Sequence, residues 1–199
     1  MKAGGNISKE GWEMVSREVH YQNDHVAVST EEIRTPARHA PRKWTVVNRK
    51  KAVVIAPITA DGKFILISQE RIPIRQAIWE VPAGQIDEAP EQDEAAISAI
   101  ALRELREETG YQLAKGGELV ALGDYFTSPG FTDEHGYFFL AQPVQLSSEG
   151  HAHDESESIL DCRAFAGSEL LRMIDQNEIR DANTLSICAR LMARGILKA

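Results

Sequence analysis

Cysteine is scarce in this sequence: only Cys162 and Cys188 occur in 199 residues. Two are too few for a disulfide framework, and neither stands in a metal-ligand spacing such as C-x-x-C. A reducing, cytoplasmic setting is expected. Long hydrophobic runs are lacking as well. Stretches such as Val53-Val54-Ile55-Ala56 fall far short of the roughly 20 apolar residues of a spanning helix. The opening Met1-Lys2-Ala3-Gly4-Gly5 has no apolar centre of the kind a signal peptide carries, so no membrane partner is expected. Positive charge is in deficit: 22 Lys and Arg stand against 30 Asp and Glu, a formal net charge of −8. That balance argues against a nucleic-acid partner, which needs a basic footprint. It does not argue against a small anionic ligand, which a metal ion and a few arginines can hold locally.

Hydrophobic residues make up 43% of the chain, enough for one ordinary core. No internal repeat or low-complexity segment interrupts it. Residues 1–10 read as frayed. Within residues 12–48, His25–Val28 and Trp44–Val47 read as short strands. Ala52–Ile58 and Lys63–Ser68 follow, joined by a tight turn at Asp61-Gly62. The clearest helix runs from Asp93, its cap, to Thr109, with Gly110 closing it. Ile97, Ile100, Ala101 and Leu105 form its buried stripe. Strands are expected at Glu118–Leu122 and Tyr137–Gln142, then an acidic loop over 145–158. Helices over Ser168–Gln176, with Ser168 as cap, and Asn183–Arg194 end the chain. The order suggests an α+β domain, a meander of strands in a mixed sheet between helices.

The segment Arg103-Glu104-Leu105-Arg106-Glu107-Glu108-Thr109-Gly110-Tyr111 carries the chemistry. Glu104 and Glu108 share one helix face, with Glu107 beside them. Like charges at that spacing cost a bare helix roughly 0.2–0.5 kcal/mol per pair, and near its C-terminus they oppose the helix dipole. A hard divalent cation, which favours carboxylate oxygens, would reverse both penalties. Read alone, three such glutamates are most often a solvated face; Gly84 upstream and Gly110-Tyr111 downstream overturn that reading.

That segment resembles the second half of the Nudix box, R-E-U-x-E-E-x-G-U, where U is a bulky apolar residue. Trp79-Glu80-Val81-Pro82-Ala83-Gly84 is similar to the lead-in of the ADP-ribose pyrophosphatase branch. Gln69-Glu70-Arg71 resembles that branch's Q-x-R, and Ser128-Pro129-Gly130-Phe131-Thr132-Asp133-Glu134 its S-P-G loop. One departure stands out. Residues 85–102 separate Gly84 from Arg103, 18 residues where the family has thirteen, and the box's first Glu is missing; Glu91 or Glu94 could substitute.

The resemblance implies a Nudix fold, a mixed β-sheet sandwiched between helices (α/β/α). It implies a domain over 49–199 behind a β-rich extension over 1–48, which related dimers exchange to build their nucleoside pocket. It implies a Mg²⁺- or Mn²⁺-dependent pyrophosphatase of nucleoside diphosphate sugars, with ADP-ribose giving AMP and ribose 5-phosphate. GDP-mannose, ADP-glucose or a nucleoside triphosphate are alternative substrates, and an inactive ADP-ribose-binding module is an alternative role. By the same carry-over, Glu104, Glu108 and the Ala83 carbonyl are metal ligands, Glu107 a further one, and Arg103 orients the carboxylates. Glu155 is the general base and Glu157 another ligand, with His151 and His153 as rivals for the base. Arg71 is the candidate phosphate clamp. Glu80 bonds substrate or a backbone amide, Pro129 marks the substrate loop, and Glu134 positions water or the terminal ribose. Trp44 could stack on the base, although a buried strand Trp is the commoner case; Trp79 is expected in the core.

Overall fold

The computed structural model describes residues 10–87, 93–148 and 158–198. Two sheets and three helices are built from them. Strands β1 (Glu13–Gln22), β2 (Val26–Thr35) and β3 (Arg38–Arg49) form an antiparallel three-stranded sheet. The larger sheet holds β4 (Ala52–Thr59), β5 (Phe64–Arg71), β8 (Tyr111–Phe126), β9 (His135–Leu146) and β10 (Ile159–Phe165), in the order β10-β5-β4-β9-β8. The short β6 (Gln76–Glu80) pairs with β5, and β7 (Ala83–Gln85) with β4.

β4 shows why the sheet is covered on both faces. Val54 and Ala56 join one core with Leu66, Leu140, Leu170, Ile187 and Leu191. Val53 and Ile55 join a second with Ile65, Phe139, Ile97, Ala101 and Leu105. A near-continuous apolar run is the mark of a strand buried on both sides. Helix α1 (Glu94–Thr109) packs on one face; α2 (Gly167–Asp175) and α3 (Ala182–Ala193) lie on the other. The α+β class and the helix–sheet–helix layering expected from the sequence are what the chain adopts.

Some expectations need correction. β4 pairs with β9 in parallel, so the chain is not a simple meander: α1 and β8 intervene and return the chain alongside β4. Ser168 does not cap α2; Ala166 takes that position with no side-chain bond. Strands β1, β6, β7 and β10 were not anticipated. β1 is exposed along its whole length and lacks the alternation that marks a half-buried strand. The start and stop signals of α1 are as expected. The Asp93 carboxylate accepts from Ala95 N and Ala96 N, and Gly110 ends α1 at a φ of 72°, a left-handed cap that glycine adopts without steric cost. Gly62 makes the β4–β5 turn at a φ of 79°.

Candidate active site

The segment from Glu80 to Gly84 is the hinge of the site, and it is gripped from three directions. Val81 N donates to Thr184 Oγ1 at 3.0 Å, which ties it to α3. Pro82 O accepts from Ile55 N at 2.9 Å, which ties it to β4. Ala83 N donates to Glu108 Oε2 at 2.8 Å, which ties it to α1. Backbone that cannot continue a sheet ladder must find such partners elsewhere.

Glu104 and Glu108 are both buried, at 6% and 1% exposure. They lie one helical turn apart, so both face the same strand. Glu104 sits over Gly84 so closely that a Cβ there would fall 2.1 Å from its carboxyl carbon. Glycine is therefore a steric requirement, not a turn signal. Arg103 bonds Glu104 Oε1 at 2.6 Å and Glu107 Oε2 at 2.7 Å. One guanidinium thus holds two carboxylates, and Glu107 is turned outward to it. Glu94 is the first residue of α1, nine positions before Arg103, whose carboxylate partners are Glu104 and Glu107. Glu91 lies outside the described residues.

Two buried carboxylates with a glycine-made recess form a hard-oxygen donor set that suits Mg²⁺ or Mn²⁺. The set is incomplete by itself: among the described residues no three His, Cys, Asp or Glu side chains converge into a metal cluster. Glu155, Glu157, His151 and His153 all lie outside the described residues. The near end of their segment is described. Ser158 O accepts from Glu70 N at 3.0 Å, and Ser158 Oγ donates to Glu70 Oε2 at 2.6 Å. Ser158 therefore sits beside the residue that precedes Arg71.

Arg71 donates from Nε to Glu80 Oε1 at 2.9 Å and to Oε2 at 3.3 Å. Glu80 is buried, which pushes its carboxyl up to about 7; Arg71 offsets part of that cost. Its bonded partner is therefore a guanidinium, not the backbone amide that the sequence left open. Asp181, at the start of α3, is the other charged group that acts on Glu80. An open cleft of about 370 Å³ runs along Glu70, Arg71, Arg75 and Gln76.

Trp44 is 57% exposed, so it is not the buried strand residue that is commoner; its Nε1 donates to Gly130 O at 3.0 Å. Trp79 is half-buried against the core and meets Phe165 edge to face at 5.0 Å. Pro129 is exposed in the loop between β8 and β9. Glu134 bonds Arg49 Nε at 3.2 Å and Thr127 Oγ1 at 2.8 Å. Arg49, Asn48 and Thr184 were not anticipated as parts of this site. The bonds that tie them to the site, from Asn48 and Arg49 to Asp133 and from Val81 to Thr184, span 84 or more positions, and no local pattern announces them.

A mixed sheet lies between helices, and its carboxylate-bearing helix is pinned to a glycine strand. A model of the NUDIX domain matches residues 48–186. The chain belongs to this family and is by class a Nudix pyrophosphate hydrolase. It is similar to the ADP-ribose pyrophosphatase of Bacillus subtilis (strain 168), 29% identical over 185 residues, 93% of this chain and 95% of that protein. It is also similar to the methanol dehydrogenase activator of Bacillus methanolicus, 30% identical over 156 residues, 78% of this chain and 80% of that one. A crystal structure of an ADP compounds hydrolase matches 96% of this chain and 100% of its own with a TM-score of 0.72. At 18% identity, that likeness bears on the fold alone.

Proposed function

We propose that the protein hydrolyses the diphosphate bond of a nucleoside diphosphate sugar, ADP-ribose foremost, to AMP and ribose 5-phosphate. The observation that carries this reading is the buried Glu104–Glu108 pair clasped to Ala83-Gly84; Arg71 adds a guanidinium able to fork onto phosphate oxygens. Glu104, Glu108 and the Ala83 carbonyl hold the cation, with Glu107 in reserve and Arg103 orienting the carboxylates. Bound Mg²⁺ or Mn²⁺ would neutralise charge on the diphosphate and acidify the attacking water. The water oxygen attacks one phosphorus, the bridging P–O bond breaks, and Glu155 takes the proton. Glu157 adds a further oxygen ligand. Arg71, braced by Glu80, holds the phosphate. Glu134 and Pro129 line the sugar end, and Trp44 offers an exposed indole to the base.

The panel that tests this is ADP-ribose, GDP-mannose, ADP-glucose and a nucleoside triphosphate, each with Mg²⁺ or Mn²⁺, followed by product release. ADP-ribose is expected to give the highest kcat/KM. Preference for another member moves the substrate; binding of ADP-ribose without turnover replaces the enzyme with a binding module.

The same reading makes the protein a homodimer through its N-terminal sheet. Trp12, Met14, Val15, Val19 and Tyr21 on and beside β1 are all exposed by 44% or more, an unusual concentration of apolar side chains on one outer strand. A long exposed edge strand is normally shielded by pairing. Sedimentation is expected to give twice the 22.1 kDa chain mass; a monomer at micromolar concentration sinks the assembly.

A further inference from the structure

The loop between β8 and β9 is tied both to itself and to β3; Thr127 N reaches Glu134 O at 3.2 Å and Thr127 Oγ1 donates to Glu134 Oε2 at 2.8 Å. Phe131 N and Thr132 N both reach Ser128 O at 3.2 Å, and Glu134 N reaches Thr132 Oγ1 at 3.1 Å. Further bonds come from β3, about 85 residues earlier in the chain. Trp44 Nε1 donates to Gly130 O. Val47 N donates to Phe131 O at 2.8 Å, and Asp133 N reaches Val47 O at 3.4 Å. Val47 and Thr132 form a parallel bridge.

The Asp133 carboxylate closes this seam with both oxygens. Oδ2 accepts from Asn48 Nδ2 at 2.9 Å, and Oδ1 accepts from Arg49 N at 2.9 Å. The next residue in the loop is Glu134, whose carboxylate is held by the Arg49 side chain. Arg49 therefore grips the loop twice, at Asp133 with its backbone and at Glu134 with its guanidinium. The seam also extends inward. Asn48 Oδ1 accepts from Arg17 NH2 of β1 at 2.6 Å, and Ser29 Oγ of β2, fully buried, reaches it at 3.3 Å. All three strands of the N-terminal sheet thus converge on one side-chain amide, and that amide holds the loop.

We propose that Asp133 and Asn48 are a positioning pair, through which the ordered N-terminal sheet sets the loop that carries Pro129 and Glu134 to the substrate. This rests on the functional reading above for the role of Glu134, and on hydrogen bonds alone for the clasp. Neither residue touches the reacting phosphates. Disturbing the sheet anywhere along Arg17–Asn48 shifts the loop, and the effect falls on substrate binding rather than on the bond-breaking step, because Glu104, Glu108 and Arg103 sit on a different element.

The test is a donor–acceptor reversal. Asn48→Asp sets a carboxylate against Asp133 and breaks the clasp. Amide exchange in a peptide spanning 127–135 is expected to quicken about tenfold. KM for the best substrate of the panel should rise about tenfold while kcat stays within about twofold. Adding Asp133→Asn to that variant returns one donor and one acceptor to the pair, and both quantities should recover. Exchange that is unchanged in Asn48→Asp, or that quickens without any change in KM, overturns the proposal, as does a double variant no better than the single one. A thermal melt separates these outcomes from simple misfolding: Asn48→Asp should remain fully folded at the assay temperature. If the wild-type protein splits no member of the panel, the proposed function fails; the clasp is then decided by exchange, its rescue, and ADP-ribose affinity by calorimetry.

Discussion

Glu108→Gln is expected to lower kcat roughly a hundred- to ten-thousand-fold while leaving the fold intact. The replaced carboxylate is 1% exposed, and its neighbour one turn earlier is also an acid. A cation held between them stabilises developing phosphate charge by several kcal/mol, and each 1.4 kcal/mol is tenfold in rate. Glutamine keeps an oxygen to accept the Ala83 N–H, so the tie between α1 and β7 survives and the melting temperature should move little. Gly84→Ala gives the same signature by a different route. Its new Cβ would lie 2.1 Å from the Glu104 carboxyl carbon, so the carboxylate must move, and Mn²⁺ affinity measured by titration should fall at least about tenfold. Activity within threefold of wild type in Glu108→Gln would remove this glutamate from the site.

The second large effect concerns Glu80 and pH. A carboxyl raised from the ordinary range to about 7 by burial binds its proton more tightly in the folded chain than in the unfolded one. Its contribution to stability is therefore complete below about pH 4.5 and is lost as pH rises through about 7. The difference in unfolding free energy between wild type and Glu80→Gln should shift toward the glutamine variant over that window, by about 3 kcal/mol at most. Urea titrations at pH 5 and pH 8 measure it; a difference that stays flat between them contradicts the assignment. Activity should move the other way. Without the charged partner at Arg71 Nε, the guanidinium loses its brace, so Glu80→Gln should raise KM most above pH 7, where wild-type Glu80 is ionised.

Much of the architecture was readable because local signals carried it. The Asp93 cap, the Gly110 closure, the apolar stripe of α1 and the Asp61-Gly62 turn each depend on residues within a few positions of one another. The acidic helix face was readable for the same reason: the spacing of Glu104 and Glu108 is a property of any α-helix. The N-terminal sheet was mostly hidden, since β1 is exposed throughout and has no burial pattern to betray it. Strands β6 and β7 were hidden because five and three residues paired to a neighbour look like loop in isolation.

The sequence by itself determined the helix that presents the carboxylates, because this follows from short-range periodicity, and its motifs carried the resemblance to the family. The tertiary structure alone decided which partners they meet. Arg71 turned to Glu80, Glu104 settled over Gly84, and Asp133 closed on Asn48 and Arg49. Those contacts join residues 9 to 85 positions apart, brought together by the pairing of β5 with β6, the packing of α1 on the sheet, and the seam between β3 and the β8–β9 loop. Hydrogen bonds between distant side chains leave no periodic trace along the chain; they appear only once the core has set the elements side by side.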